Sequence, residues 1–349
     1  MTADFAPVQG DYSDGFKAAI SAMLSRDPEQ RPSCQQLLDL PLFSSIDTNA
    51  RPLSRHSSRN RSLPSSQRKH MQSVIFHWTT NDMSPIHIEF GRRFKITSVA
   101  CGQKHCLALN DLAQVFAWGE STYGQLGTGN TQSHIQPTLI SALSNSNVVQ
   151  VAAGGHGSAF LASTGVISTC GRADDGMLGH AGQIPLLSPQ GIQSLIGSHV
   201  RRIAVGHKHM AAITDTNELF TWGSNASRQL GAPDIEVRSA VPVHITLASG
   251  LELADVYCGP DATAVVTKDS RLLACGSNAY NKLGLNPRFG LLSRRQVDKA
   301  ERFMTVKINN KGLVEDVSLG TYCTSLVMNT GKVYVLGSNQ YGSLGTGRA

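Results

Sequence analysis

A repeat that recurs five times with fixed internal spacing constrains this 349-residue chain more than any other feature. Each copy has a first glycine, a second glycine 17 residues later, and a Leu-Gly pair whose glycine follows after 8 more residues. The second glycines are 52, 52, 53 and 61 residues apart. Periods of this length are typical of solenoids and propellers, so we expect a structural array. The defining glycines, copy by copy, are Gly102, Gly119 and Gly127; Gly154, Gly171 and Gly179; Gly206, Gly223 and Gly231; Gly259, Gly276 and Gly284; and Gly320, Gly337 and Gly345.

Each copy predicts two short strands and their turns. In the first copy an apolar run, Leu107 to Leu109, is followed by the polar corner Asn110-Asp111. A second run, Val115 to Trp118, ends at the second glycine. Runs of about four or five such residues bounded by Gly, Asn and Asp are typical of strands and hairpins. The region is therefore expected to be mainly β.

The turn after the second glycine also repeats. Five residues past that glycine, four copies carry a residue that tolerates a positive φ, because it is glycine or asparagine: Gly124, Gly176, Asn281 and Gly342. The third copy carries Arg228 at this position. We therefore expect the third turn to differ from the others.

Comparison between the copies argues against metal and nucleotide sites. His105 and His209 occupy one repeat position, but the other copies have Gly157, Ala262 and Cys323 there, so no ring of ligands is predicted. The spacing of the turn glycines resembles a phosphate-binding loop. However, neither the lysine nor the hydroxyl residue that phosphate and magnesium require follows them. We interpret the two histidines as structural.

The cysteines do not form a disulfide framework or a zinc motif. Cys170 and Cys275 stand where other copies have tryptophan or leucine, which predicts buried positions. The total of seven is odd, no Cys-x-x-Cys occurs, and the closest pair is Cys101 with Cys106. This usage is typical of a reducing compartment.

The motif running from Val99 to Leu109 and then from Trp118 to Gly127 resembles the repeats of the regulator of chromosome condensation. The resemblance covers roughly residues 74–349 and implies a seven-bladed β-propeller. Seven copies would need about 360 residues at this period, whereas this region supplies 276. We therefore expect an incomplete ring from a chain truncated at both ends, with the propeller open and poorly soluble.

The first 43 residues carry an independent signal. Ser13 to Leu24 has the apolar spacing of a helix, and Ser33 opens a capping-box pattern before a second one. The stretch from Leu24 to Ser33 resembles the closing segment of a protein-kinase C-lobe. In that family the arginine matching Arg31 pairs with a glutamate that has no counterpart here. We therefore interpret residues 1–43 as a kinase remnant.

The catalytic elements of a kinase are absent from the sequence. Phosphoryl transfer needs a glycine-rich loop, a strand lysine, a His-Arg-Asp catalytic loop and an Asp-Phe-Gly motif, and none of them occurs. The chain itself is expected to lack catalytic residues and cofactors. ATP and magnesium are expected only in a full-length parent, a serine/threonine kinase.

A kinase end joined to such a propeller resembles the NIMA-related serine/threonine kinases. The stretches from Leu273 to Leu285 and from Ser318 to Gln340 favour the subgroup of kinases eight and nine, in that order. The resemblance implies a cytoplasmic, centrosomal or ciliary regulator of the cell cycle. Its propeller would localise and regulate the kinase by binding proteins, including its own kinase domain, through the propeller loops.

Residues 44–73 form a basic, serine-rich segment between the two regions. After Asp47 it holds six Arg and Lys residues and no acid, so the charge of residues 48–73 equals the formal net charge of +6 of the whole chain. Such a composition predicts a disordered tether. Ser54, Ser58 and Ser62 each follow an arginine by three residues. We expect these serines to be phosphorylated, which would cancel the local positive charge.

Two other functions remain open at the level of sequence. The first is guanine-nucleotide exchange on a small GTPase, the activity of the namesake regulator. In that protein the activity depends on a protruding wedge, which no segment here matches. The second is nucleic-acid binding by the basic segment, which lacks interleaved aromatic residues and is therefore disfavoured. No apolar run approaches the length of about 18 residues that a transmembrane helix needs.

Overall fold

The computed structural model describes residues 75–77, 86–88, 90, 94–286, 296–308 and 312–345. The chain divides into two compact units, one of which is Phe90–Leu344. In the other unit, β1 (Ile75–His77) pairs antiparallel with β2 (Ile86–Ile88). The predicted kinase remnant with Arg31, and the basic segment with Ser54, Ser58 and Ser62, lie outside the described residues. No helix in the described part has the length and apolar character that crossing a membrane requires.

The unit Phe90–Leu344 consists of five antiparallel sheets, and each sheet corresponds to one copy of the repeat. Blade 1 contains β3 (Ile96–Cys101), β4 (His105–Asn110), β5 (Val115–Gly119) and β6 (His134–Leu139). Blade 2 contains β7 (Val148–Gly154), β8 (Gly157–Ala162), β9 (Ile167–Gly171) and β10 (Leu186–Gly191). Blade 3 contains β11 (Val200–Val205), β12 (His209–Thr214), β13 (Leu219–Ser224) and β14 (Arg238–Ile245). Blade 4 contains β15 (Leu253–Cys258), β16 (Ala262–Thr267), β17 (Leu272–Ser277) and β18 (Lys299–Val306), and blade 5 contains β19 (Val314–Leu319), β20 (Cys323–Met328) and β21 (Val333–Gly337).

Short 3-10 helices occupy several connections between strands. They span Ser141–Leu143, Gln193–Leu195, Ala279–Asn281 and Gln340–Gly342. The prediction of a mainly β propeller is confirmed for the part of the chain that the structure describes. The described residues contain five blades, and an architecture of seven blades stays a prediction.

The first strand of every blade carries the same irregularity. Its pairing with the second strand skips one residue near its start, which is the geometry of a β-bulge. Bulges increase the local twist, and a repeated twist lets successive sheets stack around a common axis. The skipped residues are Thr97, Val149, Arg201, Ala254 and Glu315.

The hydrophobic core lies between the blades. The first strands of successive blades adjoin one another, and each core cluster draws on two neighbouring blades. Leu107 of β4, for example, packs in one cluster with Val151 of β7. Cys170 and Cys275 are fully buried, which confirms their predicted place in the core. Because each blade buries apolar surface against its neighbours, the blades are expected to unfold cooperatively.

Polar side chains also join the inner strands. The Gln150 amide donates to the carbonyl of Ile203 at 2.8 Å and accepts from the N–H of the same residue at 3.1 Å. One blade further, the Arg201 guanidinium donates to the carbonyls of Leu253 (2.8 Å) and Ala254 (3.1 Å). These hydrogen bonds, together with the apolar contacts, fix the spacing between blades 2 and 3 and between blades 3 and 4.

The repeat glycines adopt the backbone that their positions require. The second glycines have φ between 101° and 113°, and the glycines of the Leu-Gly pairs have φ between 64° and 80°. Arg228 has a φ of 66°, within the range of 56° to 78° of the equivalent residues in the other copies. The expectation of a different third turn is therefore wrong. The closing hydrogen bond, from the N–H of Gly231 to the carbonyl of Arg228, forms as it does elsewhere and holds arginine in the left-handed region.

Candidate interaction face

At one end of every blade, the turn after the first glycine is hydrogen-bonded to the turn after the second glycine. In blade 1 the N–H of Glu120 donates to the carbonyl of Lys104 at 2.8 Å. The equivalent bonds run from Arg172 to His156 (3.0 Å), Ser224 to Lys208 (2.8 Å), Ser277 to Asp261 (3.0 Å) and Ser338 to Tyr322 (2.9 Å). We call the surface of these paired turns the turn face; it comprises residues 102–105 and 120–126 of blade 1 and the equivalent residues of the other blades.

Side chains of the turn face pair across blade boundaries. Between blades 1 and 2, Tyr123 meets His156 edge to face with ring centroids 5.3 Å apart, and the Arg172 guanidinium lies 5.1 Å from the Tyr123 centroid. Between blades 2 and 3, Lys208 forms an ion pair with Asp175 at 3.4 Å. The turn face therefore presents arginine and aromatic groups, which are enriched in protein interfaces, together with an ion pair.

The most exposed aromatic pair lies between blades 4 and 5. Tyr280 and Tyr322 are 59% and 58% exposed, and their rings meet edge to face at 5.7 Å. Tyr280 has a φ of 58°, and the following Asn281 has a φ of 56°. A bulky residue seldom adopts this backbone, and such strain concentrates at functional sites. The strained turn presents an aromatic side chain to solvent on a rigid support.

Among the residues of the turn face, two buried histidines join blade 1 to blade 2 and blade 3 to blade 4. Nε2 of His105 lies 2.9 Å from Oγ of Ser158, and that hydroxyl donates to the carbonyl of Gln125 at 2.7 Å. Since the serine proton is used in this way, the hydroxyl oxygen accepts from the histidine, which must carry its proton on Nε2. His209, Thr263 and Gln229 repeat the arrangement with distances of 2.9 and 2.6 Å. These two networks support the structural interpretation of the histidines.

Both histidines are neutral near pH 7. Burial lowers the pKa of His105 to about 4 and the pKa of His209 to about 3, because a charged imidazolium would lose its hydration. Neither ring is placed to exchange protons with solvent, since His105 is 2% exposed and His209 is fully buried. A catalytic role for either side chain is therefore disfavoured.

The same interblade position is filled differently in the other copies. Between blades 2 and 3, Gly157 replaces histidine, and a Cβ there would lie only 2.7 Å from Cε of Met177. The Met177 side chain thus fills the space that histidine occupies in the first and third copies, and Cε of Met210 in blade 3 would lie 3.4 Å from the same Cβ. In the fourth copy the histidine position is occupied by Ala262.

Lys282 is a buried residue of the turn face that the repeat pattern did not single out. Its side chain is fully buried, forms an ion pair with Asp261, and donates to the carbonyls of Gly320 (3.2 Å) and Thr321 (2.9 Å). The lysine therefore anchors the turn that carries Tyr322. In the sequence Lys282 differs only in that it stands where the first and third copies have glutamine, which does not reveal its burial.

The described residues offer little to a metal or a small molecule. Within them, no group of three or more His, Cys, Asp or Glu side chains could hold a metal ion. A cavity of about 230 Å³ lies on the outer strands, lined by Leu247, Leu273, Phe303 and Arg302 among others. This volume is below the range of about 300–1,000 Å³ that is usual for ligand pockets. The turn face is therefore the better candidate for function.

Models of the regulator of chromosome condensation (RCC1) repeat match the chain over residues 113–161, 165–213 and 216–266, and also over 96–125 and 200–229. The structure is similar to human WBSCR16, with 25% identity, a TM-score of 0.64, and coverage of 76% of this chain and 68% of that one. Yeast RCC1 (Prp20), solved bound to Kap60, gives a TM-score of 0.65 at 21% identity, with coverage of 76% and 62%. The residues that these models match, within 96–266, are therefore RCC1 repeats of a β-propeller.

Three curated relatives differ in how much of the chain they match. The ultraviolet-B receptor UVR8 of Arabidopsis thaliana is 32% identical over 256 residues, which is 72% of this chain and 56% of UVR8. The serine/threonine-protein kinase Nek8 of Danio rerio is 25% identical over 389 aligned residues, 99% of this chain and 55% of Nek8. The kinase Nek9 of Xenopus laevis is 24% identical over 357 residues, 96% of this chain and 38% of Nek9. The chain thus spans little more than half of UVR8 and Nek8, and it is homologous to Nek8 and Nek9.

Proposed function

We propose that this chain, an RCC1-repeat propeller homologous to Nek8 and Nek9, is the non-catalytic, protein-binding regulatory part of a NIMA-related serine/threonine kinase. The propeller binds partner proteins through its turn face, localises the kinase to the cilium or centrosome, and restrains or organises the kinase domain. Within the family, the motifs from Leu273 to Leu285 and from Ser318 to Gln340 favour kinase eight over kinase nine.

One observation carries this proposal. Similarity to UVR8 covers 72% of the chain, whereas similarity to Nek8 and Nek9 covers 99% and 96%. The kinases therefore match residues that lie outside the repeats. Those residues include Leu24 to Ser33, which resemble the end of a kinase C-lobe.

The geometry of the turn face supports a binding role. Its turns are held by backbone hydrogen bonds and by the buried contacts of His105, His209 and Lys282, so its side chains are presented on a rigid support. Rigid, exposed aromatic groups lose little conformational entropy on binding. Tyr280 and Tyr322 are therefore the anchor residues we assign to this surface.

A chimaeric kinase tests the proposal. The segment of zebrafish Nek8 that aligns with residues 74–349 is replaced by those residues, and the location and kinase activity of the chimaera are measured in ciliated cells. We expect the chimaera to reach the site that intact Nek8 occupies and to keep regulated activity, and the substitutions Tyr280→Ala and Tyr322→Ala to disperse it.

A matched control uses Val237→Ala, because Val237 is 65% exposed but lies outside the turn face. A chimaera that stays diffuse in the cell, with kinase activity equal to that of the isolated catalytic domain, would contradict the proposal. If, in addition, the purified propeller accelerated nucleotide release from a small GTPase, guanine-nucleotide exchange would take its place.

A further inference from the structure

Cys101 and Cys106 are cross-strand partners at the edge of the turn face. Cys101 ends β3 and Cys106 is the second residue of β4, and the two residues are directly paired. The turn between them is closed by a hydrogen bond from the N–H of Gly102 to the carbonyl of His105 at 2.8 Å. The cysteines therefore form the adjacent non-hydrogen-bonded pair, in which the Cα atoms lie about 4.5 Å apart. Disulfides span Cα separations of about 4.4–6.8 Å.

The two thiols already touch. Their sulfur atoms are 3.6 Å apart, with the Cys106 thiol donating to the sulfur of Cys101. Cys101 is exposed and Cys106 is partly buried, so an oxidant can reach the first sulfur. Rotation about the Cα–Cβ bonds is enough to bring the sulfur atoms together, since the backbone spacing is suitable.

The environment distinguishes the two sulfur atoms. The hydrogen bond from Cys106 lowers the pKa of Cys101 to about 7, although burial acts in the opposite direction. The same hydrogen bond, together with burial, raises the pKa of Cys106. Cys101 is therefore the thiolate nucleophile near neutral pH, and Cys106 supplies the second thiol.

The pair is specific to blade 1 among the five described blades. The buried cysteines differ from it, because burial raises the pKa of Cys170 and of Cys275 and keeps both thiols protonated. The equivalent cross-strand pairs in the other blades are Ala153 with Ser158, Val205 with Met210, Cys258 with Thr263, and Leu319 with Thr324.

We propose that Cys101 and Cys106 form a reversible cross-strand disulfide that makes the first blade a site of redox modification. With hydrogen peroxide as oxidant, the Cys101 thiolate attacks one peroxide oxygen, the O–O bond breaks, and hydroxide leaves, which gives a sulfenic acid at Cys101. The Cys106 sulfur then attacks the Cys101 sulfur, the S–O bond breaks, and water leaves with the Cys106 proton. Two thiols are oxidised and one peroxide is reduced, and a cellular dithiol reverses the change by exchange.

The disulfide acts on the turn face without a change of fold. The turn it closes carries Gln103, whose N–H donates to the carbonyl of Gly155 in blade 2 at 2.9 Å, and Lys104, which pairs with Glu120 at 2.9 Å. Oxidation thus fixes this turn at the boundary between blades 1 and 2. The inference is independent of the kinase assignment, because it rests on the geometry of blade 1 alone.

Mass spectrometry of the full chain tests the inference. The reduced protein is exposed to hydrogen peroxide, or to glutathione buffers with rising proportions of the oxidised form, and free thiols are trapped by alkylation in acid. Trypsin cleaves after Lys104, so the disulfide joins two tryptic peptides that separate on reduction. We expect this linkage to dominate and to disappear with dithiothreitol. Cys170 and Cys275 should react at least about tenfold more slowly, since they are buried.

Two variants distinguish the roles of the two cysteines. Cys106→Ser should accumulate sulfenic acid or mixed disulfide at Cys101, whereas Cys101→Ser should leave Cys106 as a thiol under the same conditions. The proposal is overturned if, in the unmodified protein, Cys101 is capped by glutathione or oxidised further while Cys106 stays free. It is equally overturned if disulfides form only between molecules.

Discussion

Replacement of the buried lysine at the boundary of blades 4 and 5 should destabilise the propeller strongly. Lys282→Met removes an ammonium that pairs with Asp261 and donates to the carbonyls of Gly320 and Thr321 at 3.2 and 2.9 Å. Breaking a buried ion pair costs about 3–5 kcal/mol. The Asp261 side chain is 27% exposed, so water can partly solvate its carboxylate in the variant. Methionine retains the apolar contacts of the lysine stem, and we expect a loss of about 3 kcal/mol in the free energy of unfolding.

Urea unfolding followed by tryptophan fluorescence measures this loss, and hydrogen exchange locates it. Amides of Gly320 to Thr324 should exchange faster in the variant, because the turn loses its anchor. Lys268→Met is the matched control, since the ion pair of Lys268 with Glu252 is 65% and 69% exposed and should contribute nothing measurable.

A double-mutant cycle identifies the ion pair as the cause. Asp261→Asn combined with Lys282→Met should be less destabilising than the sum of the two single changes, by about 1–3 kcal/mol. Strict additivity, or a Lys282→Met variant that unfolds at the midpoint of the unmodified protein, would show that this ion pair does not stabilise the boundary of blades 4 and 5.

Three further predictions concern the repeat glycines, Arg228 and the buried histidines. Gly223→Ala should lower the free energy of unfolding by about 3 kcal/mol or more, because φ is 101° and the new Cβ would lie 2.5 Å from a carbonyl oxygen. Gly250→Ala is the control, since its φ is 78° but the space around it is open, and it should cost only about 1 kcal/mol. Equal losses in urea unfolding would argue against close packing at Gly223. Arg228→Gly should raise the melting temperature, since it relieves a φ of 66° and loses only a partly exposed ion pair with Glu301 and two long hydrogen bonds, to the carbonyls of Pro233 (3.4 Å) and Ile235 (3.5 Å). A lower melting temperature would count against strain at this turn. The folded-state pKa values of His105 and His209, about 4 and about 3, lie below the unfolded value of about 6.5. The contribution of these histidines to the free energy of unfolding is therefore fully present above about pH 6.5. It falls as the pH drops toward about 3, because the unfolded state binds protons that the folded state does not. His105→Gln combined with His209→Gln should flatten this dependence in urea titrations at several pH values, and an unchanged slope would show that other groups cause it.

The architecture of the described region follows from the sequence because its repeats carry the backbone constraints directly. A second glycine such as Gly119 is required where φ exceeds 100° and a carbonyl oxygen comes close, and these requirements recur at fixed spacing. Arg228 was misjudged for the converse reason. A local preference for negative φ is worth about 1–2 kcal/mol, and the hydrogen bonds and packing of neighbouring blades outweigh it.

The contacts between blades were harder to predict, since they join residues about one period apart. His105 and His209 share a repeat position, but their partners Ser158 and Thr263 belong to the next copies. That the Met177 side chain fills this position in the second copy, where Gly157 replaces histidine, becomes clear only from the packed structure. Lys282 was missed because a single sequence does not reveal that this charge is fully buried.

The exposed residues of the turn face were not predictable from spacing at all. Tyr280 and Tyr322 are separated by 42 positions, and only the packing of blade 4 on blade 5 brings their rings within 5.7 Å. Cys101 and Cys106 were visible as the closest cysteine pair, but their direct cross-strand pairing depends on the register of β3 and β4. The position of a residue in the repeat predicts its place in the fold, whereas which side chains lie together on the turn face depends on strand register and on the packing of neighbouring blades.

Isothermal titration of the purified chain into a NIMA-related catalytic domain, that of zebrafish Nek8, measures whether the propeller binds a kinase domain. We expect a complex with a dissociation constant on the order of micromolar. The Tyr280→Ala and Tyr322→Ala variant should bind at least about tenfold more weakly, and Val237→Ala should bind unchanged. Absence of binding by the folded chain, or equal affinity for all three proteins, would contradict a regulatory turn face.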